Sequence, residues 1–100
     1  MIKISYRDEN GMITLAAAGH AGYAEPGKDV VCAGVSALMQ TLAIYAGEQK
    51  GSEVKGGEPG HGYLRVDMRK NRETTLVVAA ILSGLYAIAK VHPGHVAVEG

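Results

Sequence analysis

The chain holds a single cysteine, Cys32, and a histidine twelve residues before it, His20. A thiol within reach of an imidazole is the pairing that nucleophilic acyl transfer needs: the histidine takes the thiol proton and the thiolate attacks a carbonyl carbon. Asp29 is a favoured helix N-cap, which puts Cys32 at the third position of the helix that follows. Unpaired N–H groups and the helix dipole favour a thiolate there, while the Asp29 charge opposes it modestly. At about 100° per residue, Asp29, Cys32, Ser36 and Gln40 fall within about 80° of one another and make a polar stripe. The same spacing admits a quieter reading. Free cysteine is among the most buried side chains and is usually inert when buried, so Cys32 is equally a core filler between Val31 and Ala33.

His20 closes an Ala16-Ala17-Ala18-Gly19 run that leaves room beside the imidazole, and the Gly19 backbone lets another segment come close. The chain then returns to the helix through Ala21–Lys28, which carries Gly22, Pro26 and Gly27 and reads as a mobile loop. Such a loop can set His20 beside Cys32 and close over a bound peptide. A strand-end histidine facing solvent fits the same residues.

These side chains need a frame. Residues 2–7 alternate apolar and polar, as a half-buried strand does. Asp8-Glu9-Asn10-Gly11 reads as a turn, since Asn-Gly tolerates the positive φ of a hairpin. Residues 12–18 and 63–69 read as further strands. The helix opened by Asp29 runs to about Gln49, with Val31, Val35, Leu38, Leu42 and Tyr45 as its core face. Gly47 to Gly62 is mostly loop, with a short strand near residues 53–55. Asn71 caps a second helix over roughly 72–91, ended by Pro93-Gly94, and residues 95–99 form a last edge strand. The order ββα(β)βαβ indicates the α+β class, a small and mainly antiparallel sheet with two helices packed on it, as one domain over residues 1–100. The second helix is apolar almost all round (Val77, Val78, Ile81, Leu82, Leu85, Tyr86, Ile88), which suggests a second buried surface and hence a homodimer.

Ten Lys+Arg balance ten Asp+Glu, so the basic footprint of a nucleic-acid binder is missing and no direct nucleic-acid contact is expected. One cysteine forms no internal disulfide, which points to the reducing cytoplasm. The opening MIKISYRDEN lacks the apolar run of a signal peptide. The apolar stretch Leu76–Ala89 is shorter than the roughly 20 residues of a membrane span, so no membrane partner is expected.

Gly19-His20-Ala21, a variable loop, and then Gly27-Lys28-Asp29-Val30-Val31-Cys32-Ala33-Gly34-Val35-Ser36-Ala37-Leu38 closely resemble the signature of the ribosomal-processing cysteine proteases (Prp). The match is dense over about twenty residues, and size and element order fit it more loosely along the chain. The resemblance implies a cysteine endopeptidase that cuts a short N-terminal extension from a large-subunit ribosomal protein precursor, the twenty-seventh by the usual numbering. It implies Cys32 as nucleophile and His20 as general base, with Gly19, Asp29 and Ser36 in support. It also implies a homodimer that uses no metal or other cofactor. The loop Gly22, Tyr23, Ala24, Glu25, Pro26 and Gly27 is variable in such proteins, and its expected contact with substrate comes from its loop character and not from the resemblance. N–H groups at the helix start would hold the oxyanion.

Other chemistries have weaker claims. His92, His95, His61 and Cys32 are acceptable zinc ligands by type, but Pro93-Gly94 between two of them is turn chemistry. Arg65, Arg69, Lys70 and Arg72 cluster near a strand-to-helix junction, which leaves a non-catalytic ribosome-associated or RNA-binding module as the alternative. The chain has no Phe or Trp to stack on bases, so a solvated face explains the cluster better. A dithiol mechanism lacks its second cysteine. Gly56-Gly57-Glu58-Pro59-Gly60 lacks the order of a phosphate loop and reads as a plain turn.

Overall fold

Period-two alternation builds the sheet. Ile2 and Ile4, then Ile13, Leu15 and Ala17, then Leu64, Val66 and Met68 are all buried, while their neighbours point to the other face, as a pleated strand requires. The computed structural model describes residues 1–25, 29–57 and 62–100. Its elements are β1 (Ile2–Glu9), β2 (Met12–Ala18), α1 (Val30–Gly47), β3 (Glu53–Gly56), β4 (Tyr63–Arg69), α2 (Arg72–Val91) and β5 (Val96–Glu99). The strands lie in the order β3-β4-β2-β1-β5, antiparallel except for the parallel β1–β5 pair. Register sets Ile4 beside Ala17 and Leu15 beside Val66, so one continuous apolar face meets the helices. The α+β expectation is borne out.

The boundaries differ in detail. β1 runs on to Glu9, and the turn narrows to Asn10-Gly11, whose φ values of 53° and 76° are those of a two-residue hairpin. β3 extends to Gly56, β5 begins at Val96, and α1 stops at Gly47 instead of near Gln49.

The larger correction concerns α1. Its buried stripe is Val31, Val35, Met39, Leu42 and Ala46, so Met39 and Ala46 hold the places expected of Leu38 and Tyr45. Leu38 and Tyr45 are only partly buried because they turn toward α2, not the sheet. A Cβ on Gly84 of α2 would lie 2.9 Å from Leu38 Cδ1. The Tyr45 hydroxyl donates to Glu73 Oε1 at 2.6 Å, and that carboxylate pushes the phenol up to about 12.

Asn71 caps α2 with a reciprocal pair. Its side chain accepts the Thr74 N–H at 2.8 Å, and the Thr74 hydroxyl accepts the Asn71 N–H at 3.0 Å. Only Thr74, Val78, Ile81 and Leu85 of α2 are buried. Each fully buried aliphatic side chain contributes about 1.5–3 kcal/mol. Leu76, Tyr86 and Val91 remain exposed, as does Ile44 of α1. By length and composition alone both helices are long and apolar enough to cross a membrane; here each lays a stripe on the sheet.

The basic cluster is partly neutralised by neighbouring carboxylates. Arg65 pairs with Asp67 at 3.1 Å and Lys70 with Asp8 at 2.7 Å. That supports the solvated-face reading of these cations.

Removing the α2 cap with Asn71→Ala is expected to cost about 1 kcal/mol of stability, measured by urea unfolding. An unchanged unfolding midpoint would show that the reciprocal pair contributes nothing.

Candidate active site

The site is built where β2 ends and the chain turns back to α1. A Cβ on Gly19 would strike the Met1 carbonyl oxygen, which bears out the close approach expected there. Its N–H donates to the Gly62 carbonyl at 2.8 Å. Gly62 sits at φ +61°, and a Cβ there would lie 2.7 Å from His20 Nε2. The imidazole therefore rests against a stretch of backbone that has no side chain. His20 is exposed and Cys32 half-buried, and both line one cleft of about 830 Å3.

The thiol is placed by the cap. Asp29 has extended backbone, and its Oδ1 accepts the Cys32 N–H at 2.9 Å. Its Oδ2 accepts the N–H groups of Tyr23 at 3.0 Å and Ala24 at 3.4 Å. These bonds, the Cys32 N–H foremost, hold the Asp29 carboxyl below its usual range. The Cys32 N–H is thereby occupied. Of the N–H groups at the helix start expected to hold an oxyanion, this one is already taken by the capping carboxylate.

A different amide faces the sulfur. The Ala21 N–H, next in sequence to His20, donates to Cys32 Sγ at 3.4 Å. The donor on the sulfur is thus this amide and not the imidazole. Ala21 itself is buried at 2 % exposure.

The polar stripe lies along the cleft as the helix spacing predicts: Asp29, Cys32, Ser36 and Gln40 all line it, with Gly19 and His20 across from them. Of the expected substrate loop, Gly22 and Ala24 line the cleft, whereas Tyr23 and Glu25 do not. Tyr23 departs because its ring stands edge-on to His92 and His95, with centroids 5.1 and 5.4 Å away. Pro26 and Gly27 lie outside the described residues, as do His61 and the Glu58-Pro59-Gly60 part of the expected turn. Among the described residues no three His, Cys, Asp or Glu side chains gather as metal ligands. His92 and His95 instead face Tyr23.

Sequence reasoning missed two contributors. Gly62 backs His20, and His95 Nδ1 sits 2.9 Å from the Ala21 carbonyl oxygen. The His92-Pro93-Gly94-His95 run signalled only a turn, and nothing in its spacing pointed to residue 21.

The model of the family described as cysteine protease Prp matches residues 1–97. The chain belongs to that family. It is a cysteine endopeptidase, as the resemblance implied. Solved structures share its fold. The essential ribosomal processing protease Prp from S. aureus, in complex with a covalently linked product peptide, is 22% identical, with 99% of this chain and 98% of that one covered and a TM-score of 0.80. SMU.848 from Streptococcus mutans is 27% identical, with 99% and 92% covered and a TM-score of 0.77. The S. aureus protease in complex with a substrate peptide gives 20% identity, 99% and 98% coverage and a TM-score of 0.72. No curated protein matches the chain.

The cap makes a prediction in pH. The Asp29 carboxyl titrates lower in the fold than its ordinary 3.8. Its contribution to stability is therefore complete above that value and lost as pH falls through the lower folded value. Asp29→Ala should melt below the parent at about pH 6, with the gap closing below about pH 3.8. A gap that stays constant across that range, followed by circular dichroism, would contradict the cap.

Proposed function

We propose that this endopeptidase removes a short N-terminal extension from a large-subunit ribosomal protein, the twenty-seventh, during bacterial ribosome assembly, through a dyad of Cys32 and His20. One observation carries the dyad: a cysteine endopeptidase with a single cysteine has one thiol to use, and that thiol shares a cleft with His20. The S. aureus protein of the same fold is described as a ribosomal processing protease, which supports the substrate class. The Gly19-His20-Ala21 and Asp29-to-Ser36 motifs support the same reading.

In this mechanism His20 takes the Cys32 proton, and the sulfur bonds to the scissile carbonyl carbon while the carbonyl oxygen takes the negative charge. The Ala21 N–H, already 3.4 Å from Sγ, is the donor placed to meet that oxygen; the Cys32 N–H stays with Asp29. Collapse breaks the C–N bond, and His20 passes its proton to the leaving amine. Water then gives a proton to His20 and attacks the acyl carbon. The C–S bond breaks, the product acid gives its remaining proton to solvent and leaves as the carboxylate, and the thiolate is restored beside protonated His20. No step asks for a metal or organic cofactor.

Ribosomal precursors are made in the cytoplasm, and the lone cysteine suits that compartment. A homodimer accounts for the apolar side chains left outside: Ile44, Leu76, Tyr86 and Val91 lie on the helical layer, away from the open sheet face.

Incubation with the host's precursor should give a single cut near its N-terminus, read by mass spectrometry. Cys32→Ala should abolish the cut, and His20→Ala should slow it by roughly 10²–10⁴-fold. An intact precursor after incubation with the parent protein would overturn the substrate assignment, and a cut surviving Cys32→Ala would overturn the dyad. Sedimentation equilibrium should give twice the 10.4 kDa chain mass, and Leu76→Glu should shift it toward the monomer. A monomer at all concentrations would remove the dimer.

A further inference from the structure

Ala21 is buried, so its backbone N–H and carbonyl must both find partners inside the protein. Neither partner is a backbone group of a strand or helix. The N–H donates to Cys32 Sγ at 3.4 Å, and the carbonyl meets His95 Nδ1 at 2.9 Å. A carbonyl only accepts, so Nδ1 carries the proton and donates.

His95 is itself firmly set. Its N–H donates to the His92 carbonyl at 2.9 Å, and its own carbonyl accepts the Ile2 N–H at 2.9 Å, at the start of β1. The Tyr23 ring stands edge-on to both His92 and His95 at interplanar angles of 78° and 84°. Two anchors therefore tie the same loop to the C-terminal turn: Tyr23 through its ring, Ala21 through its carbonyl. His20 lies directly before Ala21 and is held from its other side by the Gly19–Gly62 hydrogen bond. Release of the Ala21 carbonyl would remove the anchor next to His20 on its cysteine side, leaving the loop held further along by the Tyr23 and Ala24 bonds to Asp29.

We propose that His95 is a positioning residue for the reaction at Cys32: its Nδ1–H fixes the Ala21 carbonyl, and so keeps the Ala21 N–H aimed at Sγ and His20 at the cleft wall. This rests on the reading of Cys32 as the nucleophile. His95 touches no reacting atom. It acts through Ala21, whose amide meets the sulfur in the free protein and the carbonyl oxygen once the C–S bond has formed. The charged and titratable groups around the sulfur are the Asp29 carboxylate, which holds the Cys32 N–H without help from His95, and His20 in the shared cleft, which is held through Ala21.

The test uses the full chain and its sole cysteine. Iodoacetamide alkylation of Cys32, followed by intact mass against pH, reads the thiolate whether or not any peptide is cut. His95→Leu should raise the midpoint of that profile by about half to one pH unit and slow alkylation near pH 7 by roughly three- to tenfold. His95→Asn keeps an N–H near the Nδ1 position and should return to within about twofold of the parent. His95→Gln, whose amide reaches the Nε2 position instead, should behave like His95→Leu, and the Asn–Gln pair decides the matter if His95→Leu does not fold. On a peptide that the parent cleaves, His95→Leu should lower kcat about tenfold with KM changed by less than about twofold. A parental alkylation profile in His95→Leu overturns the proposal, as does an equal loss in His95→Asn and His95→Gln, which would make packing the cause. If the alkylation shifts appear but no peptide is cut by the parent, the positioning role stands and the substrate reading fails.

Discussion

Everything in the cleft depends on one carboxylate satisfying three amides. Backbone N–H groups at the start of a helix have no partner within it, and the segment leading into α1 has no strand to supply partners either. Asp29 meets both needs, taking Cys32 with one oxygen and Tyr23 and Ala24 with the other. The loop is thereby folded back over the first turn of α1. That fold brings Ala21, and with it His20, to the side of the helix that carries the sulfur. The same bonds that order the loop also remove the Cys32 amide from the pool of donors.

The sheet and helices are the frame that makes so local an arrangement durable. β2 lies between β1 and β4, and its buried side chains belong to the one core that both helices cover. The end of β2, where the site begins, is therefore the end of an interior strand. The helices meet through small residues: Gly34 lies under Ile88 and Gly84 under Leu38. This contact lets Leu38 and Tyr45 turn toward α2 while Met39 and Ala46 take the sheet. The cleft floor inherits Val35 and Met39 from the same stripe, so one helix face supplies both the core and the apolar wall behind the thiol.

The strands at 12–18 and 63–69 were legible because alternation between two sets of turn residues admits one register. The Asp29 and Asn71 caps were legible because capping is local: a short polar side chain reaches N–H groups two or three residues on. The face of α1 was not. Leu38 and Met39 are both apolar, and periodicity cannot say which of two adjacent stripes meets the sheet when a second helix covers the other. Cys32, the polar stripe and a histidine near them could be placed from the residues, while the roles given to Cys32 and His20 came from the motif resemblance. Gly62 and His95 escaped both routes. His95 meets Ala21 across 74 residues of sequence, a contact made by the parallel seating of β5 against β1 and not by any pattern along the chain.

That seating has a consequence for the order in which the molecule comes together. Ile2 pairs with Val96, and the Ile2 amide donates to His95, so the first and last strands close on each other across nearly the whole chain. Contacts this distant in sequence are slow to form because chain entropy must be surrendered before they are gained. During synthesis the hairpin, α1 and its cap can assemble from the emerging polypeptide before β5 has left the ribosome. The loop beside the thiol therefore receives its anchor at Ala21 only after β5 has emerged, well after the Asp29 cap that holds its other end.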